Sequence, residues 1–71
     1  MTPSEIHARW LLSGCRVLSA LDFDTGLTVI QVHSSRGVKI VPEAKAPSFD
    51  AALEITRPYL VSHLAKEAAR G

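Results

Sequence analysis

Apolar positions recur along the chain with two different periods, and the change of period separates helical from extended segments. Near the start, Ile6 and Trp10 stand four residues apart, which places them on one face of a helix. Thr2 and Glu5 have the spacing of a capping box, and Pro3 suits the first helical position. We therefore predict a short N-terminal helix.

Between Cys15 and Val41 the apolar period becomes two, which is typical of strands. Three extended runs are predicted, at residues 15–23, 27–33 and 38–41. The segments 24–26 and 34–37 join them, and both end in glycine, as short hairpin loops with a left-handed last residue do. Two successive hairpins predict a three-stranded antiparallel meander.

The remainder of the chain predicts a connector and a second helix. Residues 42–47 contain two prolines and are expected to form an extended connector. Ser48 is a suitable N-cap for a helix that follows. One stripe of this helix carries Phe49, Leu53, Leu60 and Leu64. Pro58 removes a backbone donor, so the helix is expected to kink or break there.

The predicted fold is therefore an α+β two-layer sandwich of α-β-β-β-α order, a single small domain over residues 1–71. The central run is apolar on both sides, since Leu27 and Val29 point one way while Ile30 and Val32 point the other. If both helices cover one face, the other face is a candidate protein interface. The residues predicted to form that interface are Leu18, Leu27, Val29 and Val41.

Composition favours a partner for this face. Apolar residues make up 46% of 71 residues, a high share for a chain with so little interior volume. Some of that apolar surface is expected to be buried against another chain. The function expected from these features is a non-enzymatic protein-interaction or regulatory module that acts as a homodimer or as a subunit of a larger assembly.

Cysteine usage and hydropathy indicate the compartment. Cys15 is the only cysteine, so no disulfide forms within the chain, and a reduced, cytoplasmic protein is expected. Neither a signal peptide nor a membrane-spanning run is recognisable. The net charge of +1 decides nothing about partners.

Potential catalytic and metal-binding residues are scattered in the sequence. No histidine or cysteine pair has the spacing of a structural zinc site, and His63 with Glu67 forms half a metal site at most. Cys15 follows a predicted helix end, where no helix N-terminus activates it. We therefore expect no enzyme, no metal and no cofactor. A ligand pocket, if formed, is expected near Cys15, His63 or the turn bearing Asp22 and Asp24.

A nucleic-acid-binding domain is the alternative function. Positive or titratable residues cluster around the second predicted hairpin, and a basic hairpin can follow a phosphate backbone. The residues predicted for that role are His33, Arg36, Lys39 and Lys45. A solvated hairpin with ordinary edge lysines explains the same residues.

The element order is similar to that of double-stranded RNA-binding domains. That family begins its last helix with a lysine-rich motif that grips phosphates. Here the matching segment is Ala46-Pro47-Ser48-Phe49-Asp50-Ala51, which contains no lysine and one aspartate. The resemblance therefore implies an arrangement of elements, and the family's function is not transferred.

Overall fold

A computed structural model describes residues 1–70 of the chain, and its element order is the predicted one. The elements are α1 (Pro3–Leu12), β1 (Arg16–Asp22), β2 (Leu27–His33), β3 (Lys39–Ala46) and α2 (Phe49–Arg70). The strands form one antiparallel sheet in the order β1-β2-β3, which confirms the α+β prediction.

Both helices begin at the predicted caps. The Thr2 side chain accepts a hydrogen bond from the Glu5 N–H, and the Glu5 carboxylate accepts one from the Thr2 N–H, each at 3.3 Å. These two bonds complete the capping box. The hydrogen bond that the carboxylate accepts from the Thr2 N–H lowers the pKa of Glu5. Ser48 Oγ accepts from the Ala51 N–H at 3.1 Å and caps α2.

The two hairpin loops depend on glycines in the left-handed region. Gly26 has a φ of 73° and Gly37 a φ of 83°, conformations that a residue with a Cβ adopts only under strain. In the first loop the side chain of Asp22 holds the turn, because its Oδ1 accepts a hydrogen bond from the Asp24 N–H at 3.0 Å.

Strand β3 is longer than predicted, because the expected connector at residues 42–47 is mostly strand. β3 continues to Ala46, and its register against β2 shifts twice. Pro42 is tolerated because β3 is an edge strand and because the proline falls within one of these irregularities. Pro42 therefore lies in an irregular strand, while Pro47 lies in the short connector that remains between β3 and α2.

Both helices pack on the same face of the sheet. One buried cluster joins Ile6 and Trp10 of α1 and Leu53 and Leu60 of α2 to the sheet residues Ile30, Val32, Val41 and Ala44. α2 runs through Pro58 as one continuous helix, so the alternative of a break there is wrong. No helix among residues 1–70 is long and apolar enough to cross a membrane.

Candidate interaction surface and thiol–imidazole cleft

The face of the sheet opposite the helices carries a row of apolar side chains. Antiparallel pairing places Ala20 beside Val29 and Leu18 beside Gln31, while Leu27 pairs with Asp22. Leu18 is 45% exposed, and Leu27 and Val29 are half-buried by their sheet neighbours. We call this surface, formed by Leu18, Ala20, Leu27, Val29, Gln31 and His33, the open face.

The prediction that Val41 belongs to this surface is wrong. Val41 is fully buried and pairs with Val32 in the core. Lys39 pairs with His33, so regular alternation would have turned Val41 to the open face. An extra residue, Ile40, bulges between the two pairs and moves Val41 to the helix side. A one-residue shift exchanges the faces of a strand, and the bulge supplies that shift.

Charged residues border the open face at both ends. At one end, Lys45 Nζ lies 3.7 Å from Asp22 Oδ2 and 3.6 Å from Glu43 Oε2. The Asp24 N–H hydrogen bond to Asp22, with a smaller contribution from Lys45, lowers the pKa of the Asp22 carboxyl. At the other end, Arg16, His33 and Lys39 lie side by side across the three strands. The open face thus has an apolar area on β1 and β2 that is bordered by charged residues at its ends and along β3, as many protein interfaces have an apolar centre and a polar rim.

His33 carries an unsatisfied polar atom in this face. Its Nε2 is shielded from solvent and is the one buried side-chain nitrogen or oxygen in residues 1–70 without a hydrogen-bond partner. Such atoms are uncommon in folded proteins.

The structure does not gather the four residues predicted for nucleic-acid binding into one surface. Lys45 lies at the opposite end of the sheet from Lys39 and is engaged by two carboxylates. Arg36 sits in the second hairpin loop and faces the cleft described below. The loop itself offers little to an anion, because Ser34 already accepts from the N–H groups of residues 36, 37 and 38.

The two edges of the sheet differ in their protection. β3 carries a proline, two register shifts and the charged residues Lys39, Glu43 and Lys45, all features that discourage strand addition. β1 contains no proline and no charge between Arg16 and Asp22. Along β1, Leu18 and Ala20 are exposed on the open face and Leu21 is 53% exposed on the helix side.

A second site lies between the end of α1, the second hairpin loop and the C-terminal half of α2. It is a cleft of about 490 Å³ lined on one side by Ser13 and Cys15 and on the other by Arg36, His63, Lys66, Glu67 and Arg70. Cys15 Sγ lies 3.7 Å from His63 Nε2 and 3.6 Å from Ser13 Oγ. The same His63 nitrogen is 4.0 Å from Glu67 Oε1.

The core holds this imidazole in place. The His63 ring packs at 5.7 Å from the Trp10 ring. Cys15 is only 5% exposed, so the thiol forms the floor of the cleft. Throughout residues 1–70, no group of three or more His, Cys, Asp or Glu side chains has metal-binding geometry. The arrangement is therefore a thiol–imidazole contact beneath a cationic rim.

Cys15 and His63 were each predicted as residues near a possible pocket, but a contact between them was not predicted. They stand 48 positions apart and meet because α1 and α2 lie side by side. No periodic signal in the sequence encodes that contact. The difference between the two sheet edges was also not predicted. The sequence did contain a signal for it, because β3 carries proline and charged residues whereas the middle of β1 carries neither.

Comparison of this chain with known protein families, with curated proteins and with solved structures finds no match.

Proposed function

We propose that this protein is a non-enzymatic protein-interaction module that works as a subunit of an assembly and docks another polypeptide on its open face. The proposal rests on one observation: the helices cover only one of the two faces of the sheet. Two helices pack on one side, whereas Leu18, Leu27 and Val29 on the other side have no layer over them.

The chemistry of the open face supports a protein partner. The central side chains are aliphatic and lie on a rigid sheet, which favours an apolar, preformed binding surface. Charges of both signs border it, with Asp22 near one end and Arg16 and Lys39 near the other. Glu43 and Lys45 lie beside it along β3. A nucleic acid would instead favour a surface of one sign, and here Lys45 is already paired with two carboxylates.

The compartment proposed with this function is the cytoplasm. Cys15 is a free and buried thiol, and the fold does not depend on a disulfide. A reducing compartment keeps such a thiol in the state that the core requires.

Site-specific photo-crosslinking in the cells that naturally make this protein tests the proposal. A benzophenone side chain at Val29 reports on the open face, and one at Ile55, an exposed apolar position of α2, is the matched control. The proposal predicts that position 29 crosslinks to a protein of defined mass and that position 55 does not. It also predicts that adding Leu18→Lys abolishes the crosslink from position 29. The absence of any adduct from position 29 overturns the proposal.

A further inference from the structure

The outer edge of β1 has unpaired backbone groups to which another strand can hydrogen-bond. Its backbone is paired with β2 on one side only. The five residues between Arg16 and Asp22 are uncharged, and most of the strand is exposed. An edge strand without proline, bulge or inward-pointing charge pairs readily with a second strand.

The sequence of β1 is suited to antiparallel pairing with a second copy of itself. Arg16 and Asp22 each stand three residues from the central Ser19. When two copies of β1 run antiparallel with Ser19 opposite Ser19, Arg16 faces Asp22 of the partner subunit at both ends. Opposite charges directly across an antiparallel pair stabilise it, and like charges oppose it.

We propose that a second copy of this chain pairs with β1 in this register and forms a two-fold dimer with a continuous six-stranded sheet. A two-fold axis perpendicular to the sheet at Ser19 keeps all four helices on one side. The dimer goes beyond the proposed function, because it uses the strand edge and leaves the open face free on a sheet of twice the width.

Side-chain pairing along β1 agrees with the same register. On the helix side, Leu21 meets Val17 of the partner subunit, so an exposed leucine gains an apolar neighbour. On the open face, Leu18 meets Ala20 of the partner subunit, which pairs a large side chain with a small one. All seven residues of the strand are paired, and no apolar residue faces a charge.

Neighbouring registers that keep the two faces of the sheet aligned are worse. Moving the centre to Leu18 places Arg16 opposite Ala20 of the partner subunit and leaves Asp22 without a strand residue across from it. Moving the centre to Ala20 places Leu18 opposite Asp22 of the partner subunit. The register centred on Ser19 is thus favoured for two reasons: it pairs the largest number of strand residues, and it places Arg16 opposite Asp22 of the partner subunit.

Disulfide trapping tests the register. With Cys15→Ser removing the native thiol, Ser19→Cys places two cysteines directly opposite, at a Cα separation of about 4.5–5.5 Å that a disulfide spans. Ala20→Cys alone is the control, because position 20 lies diagonally across, about 7–8 Å away. Mixing chains with Leu18→Cys and chains with Ala20→Cys should trap the mixed dimer. Circular dichroism confirms that each variant is folded.

The expected result is a covalent dimer from Ser19→Cys at least about tenfold faster than from Ala20→Cys. Equal rates for the two variants, or a wild-type chain that light scattering shows to be monomeric at every concentration, overturn the proposal. A dimer that Ser19→Cys fails to trap, but that Val29→Lys dissociates, overturns this register and leaves the proposed use of the open face intact.

Charge reversal supplies a second test that does not require a cysteine. Arg16→Glu places like charges at both ends of the paired strands and should weaken dimerisation on the order of tenfold. Asp22→Lys should do the same, and the double variant should recover most of the loss. Arg57→Glu, on the exposed side of α2, is the control and should have no effect. A double variant no better than the single ones contradicts the pairing of Arg16 with Asp22.

Discussion

The indole N–H of Trp10 donates a hydrogen bond to Thr56 Oγ1 at 3.0 Å, across the buried contact between α1 and α2. Both side chains are fully buried, and the Thr56 hydroxyl in turn donates to the Leu53 carbonyl at 2.7 Å. Because the two residues are 46 positions apart, this chain of bonds fixes the orientation of one helix against the other. It also positions the Trp10 ring against His63 at the cleft.

Removing the Thr56 hydroxyl, which accepts the hydrogen bond from Trp10, should lower the stability of the fold. Thr56→Val keeps the volume and leaves the indole N–H buried without a partner, so the free energy of unfolding should fall by about 1–3 kcal/mol. Urea titration followed by circular dichroism measures the change. Thr28→Val is the matched control, because Thr28 is half-buried and its hydroxyl makes no side-chain hydrogen bond within residues 1–70. Equal effects in both variants would show that the Trp10–Thr56 bond contributes nothing specific.

The proline in α2 should limit stability. Pro58 is exposed in the middle of a 22-residue helix, where it cannot donate to the Glu54 carbonyl. Pro58→Ala restores that donor, so we expect a gain of up to about 3 kcal/mol in the free energy of unfolding. Thermal unfolding of the two proteins measures it, with Tyr59→Ala, the next exposed position, as the control. A loss of stability would indicate that the core depends on a helix axis bent at Pro58.

Cys15 should behave as a protected thiol. It is 5% exposed and shielded by His63, so alkylation by iodoacetamide should be at least about tenfold slower in the folded protein than in urea. His63→Ala opens the cleft floor and should raise the folded-state rate, whereas His7→Ala, on α1, should leave it unchanged. Folded-state labelling that is faster than in urea would instead identify an activated nucleophile and would contradict the non-enzymatic proposal.

Acid should remove the stabilisation that the Asp22 carboxylate provides. The pKa of Asp22 is lowered by its hydrogen bond from the Asp24 N–H, so its contribution is present above the ordinary aspartate pKa of about 3.9 and is lost as pH falls through the lower folded-state value. Asp22→Asn keeps the acceptor oxygen and removes the charge. Its deficit in unfolding free energy should be constant near neutral pH and should shrink as the pH falls below about 4.

The control for that titration is Glu43→Gln. Glu43 also contacts Lys45, but it accepts no backbone hydrogen bond within residues 1–70. Glu43→Gln therefore shows what the loss of the Lys45 contact alone costs in unfolding free energy near neutral pH. A deficit for Asp22→Asn that persists unchanged in acid would show that the amide fails to replace the oxygen acceptor.

The two faces of β2 should respond differently to the same substitution. Val29→Lys places a charge in the middle of the open face, where the side chain can still reach solvent, so folding should be retained while binding to a partner is lost. Ile30→Lys buries the charge beneath the helices and should unfold the protein, since an unpaired buried charge is strongly unfavourable. Circular dichroism and photo-crosslinking separate the two effects. A soluble Ile30→Lys with wild-type stability would show that the helices do not cover that face.

Local chemistry in the sequence determined the elements and most of their ends. The capping box of Thr2 and Glu5, the Ser48 cap and the glycines at positions 26 and 37 act over three or four residues, and all were predicted and are present. The alternation in β2 likewise assigned Leu27 and Val29 to one face and Ile30 and Val32 to the other. Each of these signals depends only on neighbouring residues.

Tertiary packing decided the rest, because the remaining features depend on contacts between distant segments. The bulge at Ile40 became visible only through the register of β3 against β2, and it moved Val41 into the core. The contact of Cys15 with His63 exists because α1 and α2 are neighbours. Which face the helices cover, and which edge of the sheet is left unprotected, follow from the assembled layers and from no single stretch of sequence.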